Sequence, residues 1–157
     1  MQDVNPSDTF DCTLGTDAAT SVAYTRSLKT VRNSAGTFAE VNNTTTCTNT
    51  IKIHNKHRFA LPEITIRDII PMSEDKRIKV LLRQPVGLPN AKDGDSIDLS
   101  KLKEGLKVRW SPCSDSIGGE KEGRYEFFFS MDAGAKFSLT SQWEVTAPAD
   151  LTWYGQI

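Results

Sequence analysis

The 157-residue sequence has little of what marks several large classes of protein. It has only three cysteines, none in a CxxC pair, so at most one disulfide can form within the chain. Its longest apolar runs, such as the three phenylalanines at 127–129, are far too short to span a bilayer. The net charge of −1 provides no general attraction to nucleic acid or acidic membranes. With 38% hydrophobic and 25% charged residues, the chain is expected to fold as one domain.

The cysteines also bear on the cellular compartment. Cys12, Cys47 and Cys113 are widely spaced and odd in number, a pattern that favours a reducing compartment, and the N-terminus lacks the architecture of a signal peptide. We therefore expect a cytoplasmic protein that is not bound to a membrane. A single Cys12–Cys47 bridge remains open as an alternative.

Alternation of apolar and polar residues predicts many short strands separated by turn residues. The predicted strands cover residues 9–14, 21–31, 44–54, 59–70, 77–83, 106–110, 125–131 and 136–145. Residues 21–31 and 44–54 are expected to form a long hairpin with a solvent face rich in Thr and Asn. Residues 125–131 and 136–145 are expected to form a second hairpin around the Asp132-Ala133-Gly134 turn. One short helix is predicted at 98–104, and residues 111–123 are expected to be a loop.

These elements predict the fold class and the extent of the domain. We expect an all-β protein: a two-sheet antiparallel β-sandwich of immunoglobulin-like type, with a long β-hairpin and at most one short helix. Residues 1–8 are expected to be a flexible lead-in, residues 9–148 the sandwich domain, and residues 149–157 a C-terminal tail.

Residues 61–83 are the most distinctive stretch, two predicted strands joined by a corner. Pro71 ends the first strand and restricts the backbone for a turn, in which Ser73 and Asp75 bond to nearby backbone N–H groups. Asp68 lies in an apolar strand and needs a buried partner, such as a backbone amide or an Arg. The corner is therefore expected to be structural rather than catalytic, and it comprises Asp68, Pro71, Ser73, Glu74 and Asp75.

Residues that bind or catalyse are harder to find. The sequence has no GxSxG, HExxH, P-loop or GxGxxG motif, and His54 and His57 are too few to suggest a zinc site. We therefore expect no catalytic residue, no metal and no cofactor. Candidate binding residues are the tail aromatics Trp153 and Tyr154 and the basic pair Lys76 and Arg77, which faces Glu74 and Asp75. Docking on the core of the domain itself is the preferred explanation for the tail aromatics.

Several motifs together resemble one known family. The run DIIPMSEDKRIKVLL resembles the D-x-x-P-x-S-E-D-x-x-I-x-V motif of the mucoidy-inhibitor-A-like family. The opening FDCTLGTDAATSVAY and the closing QWEV followed by Pro148 resemble further motifs of that family in the same order, so that the resemblance extends from about Phe10 to Pro148. It implies an immunoglobulin-like C-terminal domain of a longer, coiled-coil-containing protein, with an ending closer to fungal members. It names no catalytic residue.

Three functions follow as hypotheses. The first is a non-catalytic β-sandwich module of a larger coiled-coil protein that mediates protein–protein or self-association, with the Thr/Asn-rich hairpin as its contact element. The second is a carbohydrate-binding module linked to cell-surface polysaccharide, and the third is an unrecognised hydrolase. Nucleic acid is not an expected partner.

Overall fold

The computed structural model describes residues 15–34, 40–112 and 118–151 of the chain. Its strands are β1 (Thr20–Asn33), β2 (Asn42–Asn55), β3 (Leu61–Ile69), β4 (Lys79–Gln84), β5 (Ile97–Asp98), β6 (Lys107–Trp110), β7 (Arg124–Met131) and β8 (Lys136–Pro148). One short α-helix, α1, spans Gly119–Glu122, and a single 3₁₀ turn spans Leu88–Asn90. The expected lead-in, the expected strand at 9–14 and residues 152–157 of the tail lie outside the described residues.

The strands form two antiparallel sheets of four strands each. The first sheet has the order β1-β2-β8-β4, and the second has the order β3-β7-β6-β5. The two sheets pack face to face around one core, to which every strand from β2 to β8 contributes a buried or partly buried apolar side chain. The predicted all-β two-sheet sandwich is confirmed.

The long hairpin is also confirmed. β1 and β2 pair over 14 positions without a break, from Thr20 opposite Asn55 to Asn33 opposite Asn42. Along β2, Cys47, Ile51 and Ile53 are buried, which places the β2 threonines at even-numbered positions on the outer face of the sheet. β-Branched threonines suit a strand because their restricted χ1 angles fit a pleated surface.

The second predicted hairpin is wrong. β7 pairs with β3 and β6, whereas β8 pairs with β2 and β4, so the turn at 132–134 carries the chain from one sheet to the other. Both strands carry large apolar residues on one face, such as Phe127 on β7 and Trp143 on β8, and these residues are buried. Two strands bury such residues equally well when they face each other from different sheets and when they pair within one sheet. Alternation alone therefore does not distinguish these two arrangements.

The predicted helix at 98–104 is wrong as well. Asp98 ends β5, and its carboxylate accepts the backbone N–H of Ser100 at 2.7 Å, while the N–H of Leu99 donates to the carbonyl of Leu106 at 2.9 Å. Leu102, one of the two leucines that suggested a helix, is 71% exposed, so the segment has no complete apolar face to bury. The observed helix, α1, lies instead in the stretch expected to be loop.

The position of β3 in the second sheet fits the proline within this strand. It forms an edge of the second sheet, and its register is irregular between Leu61 and Ile64, where Pro62 lies. A proline without an N–H is tolerated at such an edge or bulge. The strand ends at Ile69, two residues before Pro71, and the N–H of Ile70 donates to the carbonyl of Gly123 at 2.9 Å.

Candidate functional site

The most unusual surface of the domain is its long outer strand. Within the described residues β1 pairs only with β2, and we call its open side the β1 edge. Four large apolar residues of β1 are about half exposed: Val22, Tyr24, Leu28 and Val31. Proteins usually protect edge strands by making them short or by adding proline, bulges or charged residues. β1 has 14 residues, no proline and no break in its register with β2, so charge at Arg26, Lys29 and Arg32 is its only protection of this kind.

Three of these residues lie on the inner face of the first sheet. Val22, Tyr24 and Leu28 are directly opposite Ile53, Ile51 and Cys47 of β2, and opposed residues share a face. The β2 residues are at most 3% exposed, whereas Val22 and Leu28 are 54% and 58% exposed. The second sheet therefore covers β2 and stops short of β1, so that β1 overhangs the sandwich.

The backbone polar groups of the same residues point to the open side. The N–H of Lys56, the residue after β2, donates to the carbonyl of Ala19 at 2.7 Å. The backbone N–H and C=O of Ala19 therefore point toward the β2 side. In an antiparallel ladder the direction alternates from residue to residue. The even-numbered residues of β1, including Val22, Tyr24, Arg26 and Leu28, therefore direct both N–H and C=O toward the β1 edge.

Beneath the overhang, the partly buried carboxylate of Asp68 links the two sheets through hydrogen bonds. Oδ2 of Asp68 on β3 accepts hydrogen bonds from the hydroxyls of Tyr125 at 3.0 Å and Ser141 at 3.1 Å, and from the amide of Asn49 at 3.4 Å. Tyr125, Ser141 and Asn49 are at most 1% exposed. Its Oδ1 accepts the backbone N–H of Ile69 at 2.9 Å, so the expected backbone partner is present.

Asn49 extends this polar network to β1. Its Oδ1 accepts Nε of Arg26 at 2.8 Å, and Nη2 of Arg26 donates to the hydroxyl of Tyr24 at 2.7 Å. The Arg26 guanidinium also lies 5.5 Å from the Tyr24 ring centre and 6.0 Å from that of Trp143, in the range of cation–π contacts. Arg26 bonds to Asn49 and not to Asp68, so the inner face of β1 is connected to the core through Asn49.

Burial shifts the titration of groups around this network. Burial, together with the nearby negative charge of Asp68, raises the pKa of Tyr125 far above that of a free tyrosine. The same two causes, burial first, raise the pKa of Tyr24, and burial raises the pKa of the Cys47 thiol. Cys47 carries a free thiol that lies 3.4 Å from Oδ1 of Asn49. Tyr125 therefore stays a hydrogen-bond donor to Asp68, and Cys47 is not an activated nucleophile.

The predicted corner forms a turn of its own. The N–H of Asp75 donates to the Ser73 hydroxyl at 3.2 Å, and the Asp75 carboxylate accepts the backbone N–H of Arg77 at 2.9 Å. The guanidinium of Arg77 pairs with Asp75 at 2.8 Å, and this bond lowers the pKa of Asp75. Glu74 and Lys76 are exposed.

The corner residues do not gather into one site. Asp68 points between the sheets, whereas Ser73 and Asp75 bond to each other and Asp75 bonds to Arg77 outside them. Pro71 lies between, partly buried. The other predicted binding residues, Trp153 and Tyr154, lie outside the described residues.

A separate cleft of about 830 Å³ opens between the edges formed by β4 and β5. Val86, Leu99, Leu102 and Phe137 give it a mainly apolar lining, and its acidic residue Asp98 is already bonded to Ser100. The sequence did not point to this cleft, because four separate segments of the chain form it.

The histidines lie near the end of β2, and His57 is paired with Asp17. Nε2 of His57 lies 2.8 Å from Oδ2 of Asp17, and bonds from Thr20 and His57 lower the pKa of Asp17 to about 2. Across residues 15–34, 40–112 and 118–151, no three His, Cys, Asp or Glu side chains are grouped to hold a metal ion. In the same residues, no helix is long and apolar enough to cross a membrane.

Comparisons of the chain with protein-family models, curated proteins and solved structures found no match. The resemblance to the mucoidy-inhibitor-A-like family stays a prediction from motifs. Function is therefore inferred from the geometry of the β1 edge and of the network beneath it.

Proposed function

We propose that this domain is a non-catalytic interaction module that binds a strand of a protein along the β1 edge. The observation that carries the proposal is the coincidence, on the same residues of β1, of outward-directed backbone groups and exposed apolar side chains. A strand added to a sheet edge gains affinity from backbone hydrogen bonds and specificity from alternate side chains. Val22, Tyr24 and Leu28 alternate in this way on one face.

The polar network supports the proposal because it prepares the edge for binding. Arg26 is held by Asn49 and by Tyr24, so these side chains are ordered before a partner arrives. Ordering in advance reduces the entropy that binding costs. The opposite edge of the first sheet, β4, is a poorer acceptor, because it has only six residues and an irregular register.

The absence of catalysis is part of the proposal. The carboxylate of Asp68 is occupied by hydrogen bonds from buried side chains that join the sheets, and that of Asp75 is paired with Arg77. A general base needs a free position within hydrogen-bond reach of a substrate. The carbohydrate hypothesis rests on the sandwich fold, on the family's link to polysaccharide and on the tail aromatics Trp153 and Tyr154. The described tryptophans, Trp110 and Trp143, are buried in the core.

We also propose, from the motif resemblance, that the chain is the C-terminal domain of a longer coiled-coil protein. A coiled coil would hold several copies of the β1 edge close together. Proximity of this kind raises the effective concentration and makes a weak strand-to-strand contact productive.

Site-specific photo-crosslinking tests the interaction role. The photoreactive residue p-benzoylphenylalanine replaces Leu28 on the β1 edge or, as the matched control, Leu81 on β4, which is 44% exposed on the other edge strand of the same sheet. In cells of the source organism, illumination is expected to yield a covalent adduct with another chain through position 28 and none through position 81. The absence of an intermolecular adduct through positions 22, 24 and 28 alike would overturn the proposal.

A further inference from the structure

We infer that the strand added to the β1 edge is β1 of a second copy of this chain, antiparallel, with the two Thr25 residues facing each other on a two-fold axis. This inference rests on the proposed function and names its partner. The two first sheets would then form one continuous eight-stranded sheet.

Two geometric conditions restrict how β1 can pair with itself. Hydrogen bonding across the edge uses residues whose backbone groups point outward, and in β1 these are the even-numbered residues. Opposed residues must also lie on the same face of the joint sheet, and in a two-fold arrangement the inner faces of both copies coincide. Even-numbered residues must therefore oppose even-numbered residues, which leaves only registers centred on one residue of β1.

Side-chain chemistry selects among these registers. With Thr25 at the centre, Val22 faces Leu28 of the second copy, an apolar pair that occurs twice because of the symmetry. Tyr24 then faces Arg26 of the second copy, an aromatic–guanidinium pair that also occurs twice. On the outer face Ala23 faces Ser27. No like charges are opposed within Thr20–Thr30.

The neighbouring registers are worse. A centre at Arg26 places the two Arg26 guanidinium groups directly opposite each other, and like charges in that position are destabilising. A centre at Tyr24 opposes Val22 to Arg26, and a centre at Ser27 opposes Leu28 to Arg26. Each of these registers removes the Val22–Leu28 apolar pairs. Among the registers centred on residues 24 to 27, only the one centred on Thr25 combines the Val22–Leu28 pairs with unopposed charges.

The overhang of β1 makes room for this pairing. The inner face of β1 is not covered by the second sheet, since Val22 and Leu28 are more than half exposed while their neighbours on β2 are buried. Two such overhangs can approach edge to edge without collision of the second sheets. Residues from Thr20 to Thr30 would then form about twelve backbone hydrogen bonds between the copies.

Disulfide trapping tests the register in the full chain, with Cys12→Ser and Cys113→Ser in every variant. In the inferred register the two Thr25 residues form a non-hydrogen-bonded pair on the two-fold axis. The Cα atoms of such a pair are about 4.5 Å apart, within the disulfide range of about 4.4–6.8 Å. Thr25→Cys is therefore expected to give a disulfide-linked dimer under mild oxidation. Ala23, Thr25 and Ser27 are all exposed, so cysteine at these positions does not disturb the core.

The two positions beside the centre provide the register control. Ala23→Cys alone and Ser27→Cys alone are expected to form no intermolecular disulfide, whereas a mixture of the two variants is expected to form a mixed disulfide dimer. Efficient dimerisation of Ala23→Cys or Ser27→Cys alone would overturn the register. In sedimentation, Leu28→Lys is expected to weaken self-association of the chain with native cysteines at least about tenfold, and Leu81→Lys to leave it unchanged.

The outcomes separate this inference from the proposed function. If Thr25→Cys forms no intermolecular disulfide and position 28 crosslinks to a different protein, self-pairing is wrong and the interaction role stands. If Thr25→Cys forms no intermolecular disulfide and positions 22, 24 and 28 alike give no intermolecular adduct, both are wrong. A crosslink from position 28 to another part of the same chain would show that the edge is already covered, and it would also overturn both.

Discussion

Removal of the Asp68 carboxylate is the sharpest test of how the sandwich is held together. Asp68→Ala takes away the acceptor of three buried donors, the hydroxyls of Tyr125 and Ser141 and the amide of Asn49. An unsatisfied buried donor costs about 1–3 kcal/mol, but three donors that share one acceptor do not add fully. We expect the free energy of unfolding to fall by about 3–5 kcal/mol, a large part of the ~5–15 kcal/mol typical of a domain.

Thermal and urea unfolding, followed by tryptophan fluorescence, measure this loss. A domain of this size loses about 2–4 °C in melting temperature for each kcal/mol, so Asp68→Ala should melt roughly 10 °C below the wild type. Glu74→Ala, at an exposed carboxylate in the nearby turn, is the matched control and should melt close to the wild type. If Asp68→Ala melted with the wild type, the proposed role of the network in joining the sheets would be refuted.

A double-mutant cycle with Tyr125 separates the bond from general effects of the substitution. Tyr125→Phe removes the hydroxyl and keeps the buried ring. Once Tyr125 has no hydroxyl, one of the donors orphaned by Asp68→Ala is gone, so the double variant should lose about 1 kcal/mol less than the sum of the single variants. A strictly additive result would mean that the hydroxyl and the carboxylate contribute independently.

Three further predictions concern other parts of the domain. Because burial raises the pKa of Tyr125 in the folded state, the unfolded chain releases this proton at a lower pH than the folded chain does. The free energy of unfolding, measured by urea titration, should therefore be unaffected by this group below about pH 10 and should fall above it. The fall should be less steep in Tyr125→Phe. Gly119→Ala would place a Cβ 2.3 Å from the carbonyl oxygen of Ser111 and should cost about 1–3 kcal/mol in urea unfolding, whereas Gly134→Asn, in open space with a positive φ of 71°, should cost little. Asp75→Ala should lower the melting temperature much less than Asp68→Ala, because its bond to Arg77 is exposed to solvent; an equal drop in the two variants would contradict this view.

Most of the strands were predictable because their alternation is strong. Ile51 and Ile53 on β2 and Val108 and Trp110 on β6 alternate with polar residues, and all four are buried as expected. The long hairpin was predictable as well, because local pairing of consecutive strands is the usual arrangement. The change of sheet after Gly134 was not predictable, because strands that face each other and strands that pair have the same pattern.

The polar network left a signal in the sequence that was only partly used. Asn49, Asp68 and Ser141 each occupy an inward position in an otherwise apolar alternation. Each such residue needs a polar partner. On this ground the sequence predicts a partner for Asp68. It does not predict which residues these partners are, because they lie 19, 57 and 73 positions away along the chain.

The sequence by itself determined the class of fold, the long β1–β2 hairpin and the turn at 73–77. These follow from local rules: period-two alternation, β-branched residues and turn residues act over a few positions. Only the tertiary structure decided which strands share a sheet, which side chains bond to Asp68 and how far the second sheet reaches. The overhang of β1 is the clearest case. Val22 and Leu28 have the pattern of core residues. They are exposed because the second sheet, whose strands are distant in sequence, does not extend as far as β1.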